Sequence, residues 1–494
     1  MTALGDLVAA AAGGARLVRG AAETCVTGLA TDSRAVRPGD LFAALAGSSS
    51  DGHRHLGAAA AAGAAALLVA QDRAEAAPAG PALVAAANVR SALGAMADRF
   101  FGHPTGELEL VGVTGTNGKT TVTWLVEAIA RAAGRSAGVI GTIACRWGGR
   151  EIPAGNTTPE APELQRLLRE MADAGVQVAA LEASSHALEL DRLVGCRFAV
   201  AVFTNLGRDH LDFHPDLEAY AAAKAKLFTA FSSGTSVINL DDPRGPGLAA
   251  VARGRVVGYG LGAGAAVRAE EVESDAAGLR FVIAAEGSRT RISSPLIGGH
   301  NVANILAAAA AARAIGIPWE AVRSGVAACA LVPGRFERVD SGAGPIVLVD
   351  YAHTPDAVEN ALRVARGLTR GRLLAVLGCG GDRDRGKRPL MGAAAARLAD
   401  SVYLTSDNPR SEEPGAILAQ ILEGARASGG RAGLRVIEDR RAAIFAAVAE
   451  AAAGDVVLIA GKGHEDYQIV GRRTLHFSDR EEARRALEEA RCPA

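Results

Sequence analysis

Gly115, Asn117, Gly118, Lys119, Thr120 and Thr121 stand together in the run LVGVTGTNGKTT, residues 110–121, and their spacing suits the holding of a polyphosphate. Glycines let a chain aim its N–H groups at a phosphate with no Cβ in the way. A helix that starts just after them adds partial positive charge. Lys119 would reach the β- and γ-phosphates, and the Thr120 or Thr121 hydroxyl would hold Mg2+. The run departs from the full G-x-x-x-x-G-K-[ST] form, because Val113 stands where the first glycine belongs. A Gly-rich turn that binds nothing is the competing reading. The Gly-Lys-Thr core between an apolar run and a helical pattern disfavours it.

Other chemistry-bearing residues gather where apolar runs end. Asn156-Thr157-Thr158-Pro159 is one cluster, Glu182-Ala183-Ser184-Ser185-His186 a second, and Thr204-Asn205-Leu206 leads to a third at Arg208-Asp209-His210. Glu182 is a cap, a salt-bridge partner or a Mg2+ ligand; the phosphate loop raises the last option. His210 alone is ambiguous, and Lys224 and Lys226 look like ordinary solvated helix lysines. Asn301 and Asn304 lie near the start of an Ala-rich helix, which they could cap, or an amide there could read a base edge. Thr31-Asp32-Ser33-Arg34 reads first as an Asx-capped turn. Late in the chain come Tyr351-Ala352-His353, a Gly- and Asp-rich run at residues 378–384, Asp407-Asn408-Pro409-Arg410 and Gly461-Lys462-Gly463-His464-Glu465-Asp466.

The elements that must position these residues repeat a strand–turn–helix order. The pattern is α/β, in three domains. Residues 1–105 form a small N-terminal α/β domain. Residues 106–334 form a central, doubly wound, mainly parallel sheet that carries the phosphate loop. Residues 335–494 form a C-terminal Rossmann-like α/β domain. Residues 103–106 and Pro333-Gly334-Arg335 are the linkers. Strands are expected at 137–143, 176–182, 346–350, 373–377, 401–405 and 455–459, helices at 89–101, 162–174, 220–231 and 356–368, and an antiparallel patch within 256–293. In parallel sheets ligands collect at the carboxyl ends of strands, which is where the polar clusters fall. Two such sheets facing one cleft would put a nucleotide on one and a second substrate on the other.

Composition narrows the class. The 494 residues exceed what one core usually serves, and 53 Lys and Arg against 54 Asp and Glu leave no basic field for nucleic acid. Six cysteines (Cys25, Cys145, Cys196, Cys329, Cys379, Cys492) form no C-x-x-C pair, which argues for reduced thiols in a cytoplasm and against zinc. No membrane span and no signal peptide are expected, since the Ala-rich run near residues 57–70 is short and no basic residue precedes the first apolar stretch.

GTNGKTT, NTTP, EASSH, TNLGRDHLD, YAAAK, GHNVAN, DYAHTPD, GCGGDRDRGKRP, DNPR and GKGHED occur in this order over nearly the whole chain. Together they closely resemble the Mur ligases of bacterial cell-wall synthesis, best the branch that adds diaminopimelate. The resemblance implies an ATP-dependent amide ligase with Mg2+ as cofactor. Its substrates would be UDP-N-acetylmuramoyl-L-alanyl-D-glutamate and meso-diaminopimelate, and the expected assembly is a monomer. The D-glutamate γ-carboxylate would attack ATP, and an amine of diaminopimelate would then attack the acyl phosphate. By the same resemblance Gly115, Thr116, Asn117, Gly118, Lys119, Thr120, Thr121, Asn304, Arg335 and Asp350 would hold ATP. Glu182, His210 and Thr120 would serve Mg2+, as would Lys224 once CO2 has made it a carbamate, while Lys226 keeps its ordinary reading. Lys119, Lys224 and His210 are the catalytic expectations. Ser33, Thr157, Thr158, Ser184 and Arg192 match positions for the UDP substrate. Arg388, Asp407, Asn408, Pro409, Arg410, Gly461 and Glu465 match positions for diaminopimelate. Two other readings are a folylpolyglutamate-synthetase-like ligase, against which the Asp32-Ser33-Arg34 domain and DNPR argue, and a P-loop switch, against which the lack of an Asn-Lys-x-Asp run and the third domain's polar loops argue. The same ligase using L-lysine is disfavoured by Arg410.

Overall fold

The short apolar runs form strands buried on both faces, as parallel sheets covered by helices require. A computed structural model of the protein describes residues 1–47, 50–339 and 344–491. Three α/β units follow one another. The first holds a five-stranded sheet in the order Ala15–Arg19, Ala82–Ala86, Ala66–Ala70, Asp40–Ala43, Gly28–Ala30, parallel except for its first strand. Its helix Val89–Phe100 leans on the second unit: Arg90 pairs with Glu160 at 2.9 Å, and Asn88 donates to Asp191 at 2.7 Å. Gly94 on that helix allows the approach, because a Cβ there would meet Val194 at 2.7 Å.

The second unit is built on an eleven-stranded sheet. Strand Glu109–Thr114 lies inside it, parallel to Val178–Glu182 on one side and to Phe198–Phe203 on the other. Alternate side chains face opposite layers. Val111 and Val113 pack with Val122, Leu125 and Ile129 of helix Lys119–Ala132, while Leu110 packs with Leu164, Leu168 and Leu181. Each such burial contributes about 1.5–3 kcal/mol. The antiparallel patch forms the far edge, as strands Val267–Asp275, Gly278–Ala285 and Ser288–Ser294. The third unit has six strands in the order Glu337–Val339, Ile346–Asp350, Val456–Ala460, Leu373–Leu377, Ser401–Leu404, Gly433–Val436, parallel after the first pair.

Three details differ from the pattern-based expectation. The helix expected over 220–231 runs Leu217–Lys226 and widens into a π turn at Leu227–Phe231. Asn301 and Asn304 do not cap their helix, His300–Ala314; Gly299 is its N-cap, and both asparagines lie inside its first turns. The hairpin Tyr467–Val470 with Arg473–His476, and the last helix Asp479–Arg491, have no counterpart in the pattern reading. Five cysteines are free, four of them buried; Cys492 lies outside the described residues. Among the described residues no helix is long and apolar enough to cross a membrane.

Candidate functional site

Strand Glu109–Thr114 delivers the chain to Gly115, whose Cα lies so close to residue 204 that a Cβ would stand 1.8 Å from Thr204 Oγ1. Gly118 has φ +88 and ends the loop against Asn304; a Cβ there would meet Asn304 Oδ1 at 2.4 Å. Residues 204–207 form a strap that fixes the loop. Asn205 accepts from Thr116 N through its backbone oxygen and from Asn117 N through Oδ1, both at 2.9 Å. Thr204 Oγ1 donates to Asn117 O at 2.6 Å, and Gly207 N donates to Thr116 Oγ1 at 2.9 Å. The ammonium of Lys119 folds back onto Gly115 O and Thr116 O, each at 2.9 Å. Burial lowers its pKa, as does Arg335, against Glu182 and Asp209.

Glu182 ends its strand fully buried and held by three donors: Thr142 N at 2.9 Å, Thr142 Oγ1 at 3.0 Å and Thr120 Oγ1 at 3.1 Å. Thr120 Oγ1 in turn accepts from Arg335 Nη2 at 2.9 Å, across 215 residues of sequence. A guanidinium cation therefore rests on the hydroxyl next to Glu182, so the surroundings accept positive charge at that point. Among the described residues no group of three or more His, Cys, Asp or Glu could hold a metal. The donors present, a hydroxyl and a carboxylate, are hard oxygens that suit Mg2+, which usually completes its shell with water and phosphate oxygens.

Lys224 is 2% exposed, donates to Gly115 O at 2.9 Å and lies 4.2 Å from the centre of the Tyr220 ring. Burial holds its pKa well below the ordinary lysine value, and Lys119 lowers it further. Lys226, two positions on, is a surface partner of Glu189 at 2.8 Å. His210 sits at φ +53 with its ring edge-on to His186 at 4.7 Å. Burial pulls the His210 pKa down, with Asp209 at 3.3 Å opposing, so the imidazole is neutral near pH 7. Asp209 also faces His353 of the third unit at 3.8 Å; burial works against its charge, but His353, His210 and Lys387 hold the carboxyl below its usual range.

These groups line one cavity of about 910 Å³ between the second and third units. Gly118, Lys119, Thr120, Glu182, His210, Lys224 and Asn304 form one wall; Arg335, Asp350, Tyr351 and His353 form the other. Asp350 takes Phe336 N at 2.8 Å and Ala352 N at 2.9 Å, which anchors the linker to its strand end. Arg335 lies over Tyr351, 4.6 Å from the ring centre. Asn304 Nδ2 is held by Asn301 Oδ1 at 2.8 Å, leaving its oxygen toward Gly118. Thr157, Thr158, Ser184 and Arg192 line the same cavity. Thr158 Oγ1 donates to Glu182 O at 2.6 Å, and Arg192 donates to Thr158 O at 3.0 Å and pairs with Glu160 at 2.9 Å. Ser33 is elsewhere: it lies in the turn of the first unit where Asp32 pairs with Arg34, and the first unit contributes nothing to the cavity lining.

The residues expected around the acceptor amino acid lie beside this cavity, not in its lining. Arg410, at φ +52, is pinned by its backbone to the hairpin: its N–H donates to Ile469 O at 3.1 Å, and Gly471 N donates to its carbonyl at 2.8 Å. Its Nη1 donates to Gly381 O at 2.8 Å. Arg388 is fully buried, and its terminal nitrogens donate to Glu412, Gln420 Oε1 and Gly380 O, so it braces the loop behind Arg410, while its Nε has no partner. Asp407 and Asn408 are buried; Asn408 Nδ2 donates to Glu465 Oε2 at 3.0 Å, and Tyr351 OH to Glu465 Oε1 at 3.3 Å. Burial raises the Glu465 pKa, reinforced by Asp407. Pro409 is buried, and Gly461 has φ +122 beside Asp407. Sequence reasoning gave no role to Lys462, Tyr351 or the residue 204–207 strap. Only the motif runs that contain them offered a signal.

Comparison with known proteins gives three family matches along the chain. "Mur ligase family, catalytic domain" covers residues 25–101, "Mur ligase middle domain" 113–312, and "Mur ligase, glutamate ligase domain" 334–463. A UDP-N-acetylmuramoyl-L-alanyl-D-glutamate–2,6-diaminopimelate ligase of Geobacter metallireducens is 47% identical over 484 residues, 94% of each chain. A solved structure of a ligase of the same name superposes with a TM-score of 0.67 at 37% identity, over 94% of this chain and 96% of that one. A folylpolyglutamate synthase of Mycobacterium tuberculosis, solved with ADP and AMPPCP, shares the fold alone: TM-score 0.61 at 23% identity, over 74% of this chain and 91% of that one.

Proposed function

The chain belongs to the Mur ligase family, and from that membership and its site we propose that it joins meso-diaminopimelate to the D-glutamate γ-carboxylate of UDP-N-acetylmuramoyl-L-alanyl-D-glutamate, using ATP. The observation that carries this reading is the shared cavity, with a phosphate loop on one wall and the strand ends of a second α/β sheet on the other. A carboxylate does not accept an amine in water, because hydroxide leaves poorly; phosphorylation by ATP supplies a good leaving group. Both steps build negative charge, which cations fixed in a dry cleft stabilise without reorganising.

Gly118 to Thr121, at the helix start, would turn their backbone N–H groups to the ATP phosphates, since Asn205 takes those of Thr116 and Asn117, and Lys119 would swing from its loop carbonyls onto the β- and γ-oxygens. Asn304 lies by Gly118 for the adenine, Asp350 for the ribose and Arg335 for the phosphates. Thr120, Glu182 and the neutral His210 would hold Mg2+, which when bound neutralises phosphate charge. Arg335 must then leave the Thr120 hydroxyl. Lys224 is suited to carbamylation because only a neutral amine attacks CO2, and burial lowers its pKa in favour of that form. Adding CO2 with loss of one proton would put an anionic oxygen in place of the amine. Thr157, Thr158, Ser184 and Arg192 would receive the UDP-linked peptide, with Ser33 at the nucleotide end. Arg410, Asp407, Asn408, Pro409, Gly461 and Glu465 would receive diaminopimelate, with Arg410 gripping its distal carboxylate bidentately. Lysine would leave that guanidinium without a partner, a mismatch worth up to about 10⁴-fold in selectivity. One chain supplies every residue in this account, so a monomer suffices. Cytoplasmic precursor synthesis suits its nucleotide substrates.

The test is ADP release by purified protein. It should require the UDP-dipeptide and diaminopimelate together and be poor with L-lysine. ATP hydrolysis indifferent to both substrates would favour a nucleotide switch instead.

A further inference from the structure

Lys462 has no part in the function proposed above, yet it is completely buried at the meeting point of three segments of the acceptor region. Its ammonium donates to Asn408 Oδ1 at 2.9 Å and to Tyr467 O at 2.7 Å, and lies 3.2 Å from Asp407 and 3.7 Å from Glu465. Those partners belong to the DNPR run, to the first strand of the hairpin and to its own loop after strand Val456–Ala460. A buried ammonium persists only where its donors and its charge are both met. Here they are met by the same groups that would frame a ligand.

The contact on Asn408 has a directional consequence. Asn408 Oδ1 accepts from Lys462 and from Ile469 N at 3.0 Å. With the oxygen fixed there, the amide must turn its NH2 toward Glu465, to which it donates at 3.0 Å. Glu465 is thereby held between Asn408 and Tyr351. Through Tyr467 O, Lys462 also pins the strand whose Ile469 O receives the backbone N–H of Arg410. Arg440 helps hold Asp407 ionised through its charge alone: it is buried in a pair with Asp479 at 2.7 Å and donates to Ala460 O at 3.0 Å. Asp407, Glu465 and Lys462 leave one net negative charge, which suits an ammonium end of an amino acid.

We propose that Lys462 is a positioning residue for the acceptor amino acid, fixing the Asn408 amide and the hairpin so that Glu465 and Arg410 stand at a set spacing. This rests on the reading of Arg410 and Glu465 as the diaminopimelate site. Lys462 need not touch the substrate; it decides where the groups that do so are held.

Steady-state kinetics of the full-length enzyme test it. Lys462→Met should raise the KM for diaminopimelate about 5- to 150-fold, the range for unpairing a buried polar group, with the KM for ATP within about twofold. Lys462→Arg, which keeps charge and donors, should recover part of the loss. Lys462→Gln, which keeps a donor within the buried pocket but loses the charge, should raise the same KM and carries the test if Lys462→Met does not fold. Wild-type diaminopimelate KM in Lys462→Met or Lys462→Gln, or equal rises for ATP and diaminopimelate, would overturn the proposal. Arg410→Ala separates the two layers. If it leaves the diaminopimelate KM unchanged, the site reading itself is wrong; if it raises that KM while the Lys462 variants do not, only the role of Lys462 fails.

Discussion

Gly334→Ala should disable the enzyme from a linker, without touching any group that meets substrate. Gly334 has φ +64, and a Cβ there would lie 2.0 Å from His464 N and 2.2 Å from Gly463 C. Those are backbone atoms, so no rotamer change relieves the clash. Restoring contact distances of about 3.5 Å requires the linker to lift by roughly 1–1.5 Å. The left-handed backbone adds about 1–2 kcal/mol for alanine, and overpacking about 1–3 kcal/mol. Gly334 N also donates to Glu337 Oε2 at 2.8 Å, so the lift loosens a buried hydrogen bond. The next residue is Arg335, assigned above to the phosphates, whose guanidinium lies over Tyr351, 4.6 Å from the ring centre. A shift of an ångström takes it off the ring that aims it. Misplacement on that scale can cost about 100-fold in turnover. The assay is ADP release at saturating substrates, with a thermal melt beside it. Gly367→Ala is the control, since nothing lies within 4 Å of its added methyl. Turnover within about threefold of wild type at unchanged melting temperature would refute the claim that the linker sets the Arg335 position.

Arg410→Ala should raise the KM for diaminopimelate far more than that for ATP, by the roughly 1.5–3 kcal/mol of a charge-assisted hydrogen bond, and narrow the preference over lysine; parallel acceptor titrations read this out. Lys224→Ala should cripple turnover, with partial rescue by short carboxylates, and wild-type enzyme in 13C-bicarbonate should show a carbamate resonance that the variant lacks. Full activity in the variant ends the carbamate reading. Stability should fall with acid. Burial, with Arg335 and Arg480, depresses the His464 pKa to about 3 in the folded chain, and burial depresses that of His186 to about 4, each from an ordinary 6.5. Below 6.5 the unfolded chain takes up protons that the folded one refuses, so this stability is complete above pH 6.5 and lost as pH falls toward those values. Melting temperature from pH 7 to pH 4 should drop, and less steeply in His464→Gln; a flat profile would contradict the burial of these rings.

The strand, glycine turn and helix of residues 109–132 were legible because everything they need is local. Strand, glycine turn and helix start are consecutive, and backbone geometry follows from residue type. The two parallel sheets were legible for a similar reason: apolar runs ending in polar clusters report burial and strand ends together. Lys224 and Lys226 show where sequence runs out. Both sit in one helix with no periodicity to tell them apart, and only packing puts the first under the phosphate loop and the second on Glu189 at the surface. Arg388 shows the same limit from another side: its motif says nothing of Glu412 and Gln420, which lie 24 and 32 residues on and bind it inside the fold.

The sequence by itself determined which chemistry is available, since a cluster of glycines, a lysine and hydroxyls at those spacings suits a nucleotide and DNPR offers a guanidinium to a carboxylate. Tertiary structure alone decided which of those groups meet. Thr120 and Arg335 are 215 residues apart, and Asn408 and Lys462 are 54 apart. Neither pairing leaves a local trace, because each forms where the carboxyl ends of separate sheets, or of separate strands in one sheet, are brought to the same side.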